Sequence, residues 1–467
     1  MIPFAEVGSE AMRTAHAPVS GCRVGRWGYP VLAGVVVGLL AFAGADGWRS
    51  AQAQELREAV DMAVRTHPLV ASTRAGYRAA GEGVKEIEGE FLPSLDLSAD
   101  TGYQRAHRPV GSSVDQNLWR NKQRLALTQM LYDGQGTTNR AESSRATAEA
   151  AQFEVQAAAT RIAQRAIKAY LDVARDRQLI EFAGANIDLH NRILGDVSEA
   201  ARTGGGSESR VAQVKTRLFN AQSQRRRAEG NLKNSISAYV EAIGQMPGNL
   251  QDRPFPQSAP PATVDAAIAE AMKNNPTLLS SIEEEKASKF TAEAERSAFL
   301  PNLDLEFAHE RRDGVDGTSG HETDSTALVK LSWNFYKGGS DQASVRRALE
   351  RASEAMYKIH EIDRQIRREL DVALNDYQVT RDQVALLRDR VATAQEVTTA
   401  YGEQFRLGQR TLIELLDSGN ELFLARTELA SREYDQILAA YEFLAVKGTL
   451  LQDLGVRVDM EAASAPK

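Results

Sequence analysis

The chain has 467 residues, a net charge of −7, 6% aromatic residues and 14 prolines. The acidic balance, with no basic stripe interleaved with aromatics, argues against a nucleic-acid partner. The wealth of Ala, Glu, Gln and Arg suits long helices better than a compact globule.

Residues 1–53 read as a secretory signal peptide. Scattered arginines (Arg13, Arg23, Arg26) precede the apolar run VLAGVVVGLLAFAGA at 31–45, and Ala51-Gln52-Ala53 supplies an A-x-A cleavage site. The run is too short for a spanning helix of about 20 residues. The single cysteine, Cys22, lies before it, whereas lipid attachment requires a cysteine after it. Cleavage after Ala53 leaves no cysteine, so disulfide and thiol chemistry fall away. No apolar helix follows, so any membrane crossing must use a β-barrel.

The remaining chain is one unit written twice. FLPSLDL at 91–97 returns as FLPNLDL at 299–305, and the helix-ending pair His67-Pro68 returns as Asn275-Pro276. LTQMLYDGQ at 127–135 returns as LSWNFYKGG at 331–339. Such whole-length self-similarity is a domain duplication. The first repeat covers 54–244, a proline-rich extended connector 245–263 and the second repeat 264–456; residues 457–467 are expected to form a disordered tail.

Each repeat begins with a short helix that stops before its proline, as pre-proline sterics favour. A second helix of about six turns leads into FLP. The pattern then alternates: Leu95, Leu97 and Ala99 oppose Asp96, Ser98 and Asp100, and Leu303, Leu305 and Phe307 oppose Asp304 and Glu306. Polar loops are expected at 108–121 and 313–325. A returning strand sets Val329, Leu331, Trp333 and Phe335 against Lys330, Ser332 and Asn334. A very long helix follows, with a heptad seam of Val155, Ala159, Ile162, Ala166, Ala169 and Val173 in the first copy. Ile366, Leu370, Ala373, Tyr377, Val384, Leu387, Val391 and Ala394 form the second seam. TGGGSES and RLGQRT break these helices, each roughly 100 Å long, before a returning helix of about 35 residues. The fold expected is mainly α with a small β part: duplicated antiparallel coiled-coil hairpins plus four strands.

Four strands cannot close a transmembrane barrel, which needs eight or more. Left alone they expose two bare edges. Three chains would supply twelve strands and no edge.

The duplicated order of helix, FLP, strand, strand, Y-x-G and helix resembles the TolC family of outer membrane channel proteins over residues 56–456. The resemblance implies a homotrimer with a twelve-stranded barrel in outer membrane lipid and a periplasmic helical tunnel. It also implies two partners, a periplasmic adaptor protein and an inner-membrane ABC or RND transporter. Type I protein secretion is the leading branch, with small-molecule efflux as the alternative. A periplasmic adaptor or a structural coiled coil is the reading of another class; the former should carry one hairpin flanked by compact β domains, and the latter needs no strands.

By the same resemblance, Glu414 and Asp417 fall on the carboxylates that ring the periplasmic constriction. Phe405, Arg406, Gly408 and Arg410, with Gly204, Gly205 and Arg210 of the first repeat, fall at the gate and adaptor-facing tip. The family has a tyrosine at Phe405 and an aspartate at Arg210, so the closed-state link must differ; Glu208 or an Arg210–Glu414 pair is a candidate substitute. In stacked rings, Glu414 and Asp417 would raise each other's pKa and attract cations. His107, His190, His309, His321 and His360 are isolated, without metal-ligand spacing. TGGGSES lacks the lysine of a phosphate loop. No nucleophile–base constellation stands out, so neither catalysis nor a cofactor is expected.

Overall fold

A computed structural model describes residues 55–108, 114–261, 263–316 and 319–460, all within the unit 51–467. The signal peptide, Cys22 and residues 461–467 of the tail lie outside the described residues.

The duplication is realised element by element. Helices α1 (Leu56–Thr66) and α2 (Pro68–Gly89) precede strands β1 (Ser94–Arg108) and β2 (Val114–Tyr132). Helices α3 (Gly136–Arg202) and α4 (Glu208–Ile243) complete the first repeat. The second contains α5 (Asp265–Asn274), α6 (Pro276–Arg296), β3 (Asn302–Asp313), β4 (His321–Ser332), α7 (Ser340–Arg406), α8 (Leu412–Lys447) and the short α9 (Leu450–Asp453). The long helices α3 and α7 have 67 residues each, and the returning α4 and α8 have 36 each.

The X-Pro pairs end one helix and start the next. His67 and Asn275 are extended (ψ 131° and 115°), as a following proline demands, and each proline takes a first-turn position where no donor is missed. The side chains then cap what the prolines begin. His67 Nδ1 accepts from the Leu69 amide at 3.1 Å. Asn275 Oδ1 accepts from Thr277 and Leu278 at 3.0 and 3.2 Å, while its Nδ2 donates to the Val446 carbonyl at 2.9 Å.

Helix α3 lies against α4, α6 and α8. Its heptad seam is buried throughout, and Ala158, Ala163 and Ala166 allow backbones to approach. The second seam is covered less completely. Ile366, Leu370, Ala373 and Val384 are buried, but Tyr377, Leu387, Val391 and Ala394 are half-buried. Val372, Val379 and Leu386 form an exposed heptad row on α7.

The connector is pinned rather than loose. The Gln251 amide donates to Tyr170 Oη at 2.6 Å, Tyr434 Oη donates to Asp252 at 3.0 Å, and Asp453 accepts from the Gln257 and Ser258 amides. Buried Glu433 receives Arg253 at 3.1 Å and Arg388 at 2.9 Å. Val458 and Met460 pack against the core of α1, α3 and α8, so ordered packing continues past Val456 into the stretch expected to be disordered.

The four strands form one antiparallel sheet in the order β1-β2-β3-β4. Both expected loops are shorter than the polar composition suggests. Strand β2 already starts at Val114 and β4 at His321, because polar residues suit whichever strand face is wet. Leu95, Leu127, Phe307 and Ala327 align in one apolar row, followed by Leu97 and Leu125. The opposite face carries Arg124–Glu306, Arg312–Asp324 and Lys122–Glu310 (3.1 Å) ion pairs. A hollow of about 310 Å³ on that face is lined by Asp96, Arg124, Asp304, Glu306 and Lys330. Strand β4 ends at Ser332, before the Trp333 and Phe335 that alternation assigns to it.

The caps give a first prediction. Asn275→Ala should cost about 1–2 kcal/mol, since two helix amides and a half-buried carbonyl lose partners. His67→Ala, which loses one such bond, should cost less. Apparent melting temperatures of the detergent-extracted protein check the order; equal effects would contradict it.

Candidate functional site at the helical turns

Each 67-residue helix is ended by a left-handed glycine: Gly204 at φ +86° after α3 and Gly408 at φ +74° after α7. Around Gly408 the Gly408 amide donates to Phe405 O at 3.0 Å and the Gln409 amide to Gln404 O at 2.8 Å. A Cβ on Gly206 would lie 2.9 Å from the Ala201 nitrogen, so the first turn also needs glycine where it folds back. Beneath both turns Ile193, Val197, Val211, Val214, Leu412, Leu415 and Leu416 form one apolar cluster. Phe405 packs partly buried against it, a role that needs no hydroxyl.

The second turn is fastened more firmly than the first. Thr411 caps α8, and Glu414 closes a reciprocal box. Thr411 N and Oγ1 both donate to Glu414 Oε2, at 2.9 and 2.7 Å. Arg410 Nη1 reaches Glu414 Oε1 at 2.8 Å, its Nε donates to Gln404 at 2.9 Å, and its guanidinium lies 4.3 Å from the Tyr401 ring centroid. At the first turn Ser207 makes no side-chain cap and instead meets the Ser209 hydroxyl at 2.9 Å.

These contacts hold Glu414 within its own chain. Hydrogen bonds from Thr411, backbone first and hydroxyl second, and then from Arg410 hold the Glu414 carboxyl down at about 2. Within the chain it is clasped, not raised by a neighbouring carboxylate. Within the chain the ion-pair partner of Glu414 is Arg410, not Arg210. Asp417 binds Arg217 of α4 at 2.9 Å, which ties the second hairpin to the first. Sequence spacing hides Arg217, Gln404 and Tyr401 as members of this constellation. Only the Thr411-x-x-Glu414 box is a legible signal.

The two turns meet. A cavity of about 930 Å³ brings Gly205 and Arg210 together with Phe405, Arg406, Gly408 and Arg410. Gly204 forms the bend beside it, and Asp417 lies one turn along α8. Arg210 and Arg406 are exposed and have no ion-pair partner among the described residues. With Arg410 paired to Glu414, they are the free cations of a mixed rim that also carries Asp196.

With this geometry in hand, the sequence pattern of the outer membrane efflux protein family (OEP) matches residues 34–245 and 267–448. The chain belongs to that family. It is 24% identical over 415 residues to the outer membrane efflux protein BepC of Brucella suis, covering 88% of this chain and 89% of that one. It is 22% identical to Escherichia coli TolC over 422 residues, covering 85% and 83%. The alkaline protease secretion protein AprF of Pseudomonas aeruginosa is 25% identical over 290 residues, 59% of each chain. Among solved structures, the Campylobacter jejuni CmeC outer membrane channel superposes with a TM-score of 0.75 at 16% identity, covering 85% of this chain and 86% of that one. CusC gives 0.75 at 15%, covering 86% and 94%.

In this channel protein the Glu414 clasp has a defined pH window. Its folded pKa of about 2 lies below the ordinary carboxylate value, so its stabilisation is complete above that ordinary value. It is lost as pH falls through the folded value. Thr411→Val should raise the Glu414 titration midpoint by about one unit or more, read by carboxyl-carbon NMR, and speed amide exchange at the start of α8. An unchanged midpoint would remove the Thr411 hydroxyl as a cause and leave the Thr411 amide and Arg410.

Proposed function

We propose that three copies of this chain form the exit duct of a tripartite export system. The sheet is the observation that carries this reading: an apolar face for lipid, a charged face for a water-filled lumen, and two edges that lipid cannot satisfy. Two copies would give eight strands, but a barrel of that size fills its own interior with side chains. Three leave a bore. The long helices then continue the duct into the periplasm, and the role is transport without catalysis.

The exposed guanidinium groups of Arg210 and Arg406 suit carboxylates on a periplasmic adaptor, which would link the duct to an inner-membrane transporter. Type I protein secretion with an ABC exporter is the preferred branch, supported by likeness to a protein named for alkaline protease secretion. Efflux with an RND-type pump is the second reading, favoured by likeness to BepC, which is named for efflux. Arg210→Glu with Arg406→Glu should abolish most export while leaving membrane-inserted assemblies intact. Normal export in that variant would exclude docking at the rim.

The clasped carboxylates act as gate and selectivity element. Threefold symmetry makes two acidic rings of Glu414 and Asp417, and the Arg217–Asp417 bridge holds the hairpins together in the closed form. An exposed ion pair contributes about 0.5 kcal/mol. Three such pairs amount to roughly a tenfold shift between closed and open populations. In planar bilayers Arg217→Ala should raise open occupancy about tenfold with cation preference retained. Glu414→Ala with Asp417→Ala should abolish the cation preference, read as the reversal potential in a salt gradient. Unchanged selectivity in the double variant would return both residues to the solvated surface.

A further inference from the structure

We infer that a small oxyanion of the phosphate type binds between α3, α4 and α8, in a cavity lined by Asn186, His190, Arg217, Gln224, Arg227 and Asn420, and competes there with Asp417 for Arg217. The consequence for opening rests on the closed-form bridge proposed above; the site itself does not.

The internal repeat shows what this junction lacks. Equivalent positions of the long hairpins are spaced as Gly204 and Gly408 are. In the second repeat Arg390 of α7 reaches two carboxylates of α8, Glu421 at 2.7 Å and Glu428 at 2.8 Å. The counterpart of Arg390 is Asn186 on α3, and the counterparts of Glu421 and Glu428 are Arg217 and Gln224 on α4. The cation has become a neutral amide, and the two acids have become a cation and a second amide. The second repeat closes its junction with its own charges. The first leaves a positive junction whose anion must come from elsewhere.

The side chains converge on one opening. Arg217, Asn220, Gln224 and Arg227 follow one another at spacings of three, four and three, so they share one stripe of α4. Arg227 ends a run of three arginines. Arg225 and Arg226 both bind Glu229, at 3.1 and 2.8 Å, whereas Arg227 has no ion-pair partner among the described residues. The cavity measures about 250 Å³, and none of the described residues that line it is a carboxylate. A water takes up about 30 Å³, so the space holds a phosphate-sized ion with part of its hydration. Guanidinium forks match the oxygens of such an ion in pairs.

The floor of the cavity is buried. Asn186 and His190, one turn apart on α3, are 5% and 3% exposed. His190 Nδ1 donates to the Asn186 carbonyl at 2.8 Å, which leaves Nε2 as the remaining polar atom of the ring. Asn186 Oδ1 is fully buried and has no hydrogen-bond partner. Leaving such an atom unpaired is costly, and a ligand that reaches the amide recovers the loss. An amide presents its oxygen or, after a half-turn of its end group, its NH2. It therefore accepts from the O–H of hydrogen phosphate or donates to a bare oxygen. Close packing fixes the third wall: a Cβ on Gly419 would lie 2.8 Å from Leu189 Cδ2, so α8 sits hard on α3 beside Asn420.

Arg217 joins this cavity to the gate. It lines the opening and holds Asp417 at 2.9 Å, and both side chains of that bridge are exposed. A phosphate carrying up to two negative charges meets a guanidinium held by one solvent-screened contact. Occupancy of the cavity draws Arg217 from Asp417 and loosens the tie between the hairpins.

Calorimetric titration of the detergent-extracted protein with inorganic phosphate, against chloride at constant ionic strength, reads the site. Arg227→Ala should weaken binding about tenfold or more. Arg225→Ala removes the same charge from a neighbouring position outside the cavity and should leave binding within about twofold. No binding, or equal losses in the two variants, would mean an adventitious counterion only and overturn the site. In planar bilayers at matched ionic strength, saturating phosphate should raise open occupancy toward that of Arg217→Ala and add nothing to that variant. Binding with open occupancy unchanged overturns the competition with Asp417. If Arg217→Ala itself leaves open occupancy unchanged while phosphate still binds through Arg227, the closed-form bridge fails, the opening consequence falls with it, and the site stands.

Discussion

The need to satisfy backbone hydrogen bonds in hydrocarbon governs this chain. Each unpaired amide or carbonyl facing lipid costs several kcal/mol, and a four-stranded sheet presents two such edges. No side-chain substitution can remove that cost, because it belongs to the backbone. Closure by other copies can, and the alternation of Leu95, Leu97, Leu303 and Leu305 with Asp96, Asp304 and Glu306 then fixes which face meets lipid. The charged face needs water, and that makes the enclosed space a duct.

The helices show the same division between what a chain satisfies within itself and what it leaves for a neighbour. Helix α3 has partners on several sides and an alanine-rich, fully buried seam. Helix α7 carries the equivalent seam yet keeps Val372, Val379 and Leu386 exposed. The pinned connector fits this division. By joining Tyr170 of α3 to Glu433 and Tyr434 of α8, it fastens one repeat to the other within the chain. The clasps of Glu414 by Arg410 and of Asp417 by Arg217 fasten the far ends.

Much of this architecture is legible in the sequence, because duplication and periodicity are local. The X-Pro helix ends, the FLP entries into the strands, the heptad seams and the glycine breaks each follow from residues a few positions apart. What escapes is set by distance. Arg217 and Asp417 lie on different helices of different repeats, so no spacing rule joins them. The resemblance sets Glu414 in an acidic ring, and within the chain its own helix start also claims it through Thr411. Phe405 lacks the expected hydroxyl, and the guanidinium of Arg410 rests instead on Tyr401, one turn earlier on the same helix. The early end of β4 escapes for another reason: alternation reports which residues can pair, and a lone chain holds no strand to pair them with.

The central claim is that the sheet is completed by copies of itself, in a number large enough to leave a bore. The mass of the intact assembly, measured by native mass spectrometry after gentle detergent extraction from outer membranes, tests this most directly. Three chains are predicted, with no free monomer at dilution. A stable monomer would leave both edges bare, and a dimer would close a barrel too narrow to conduct cargo; either result would contradict the account.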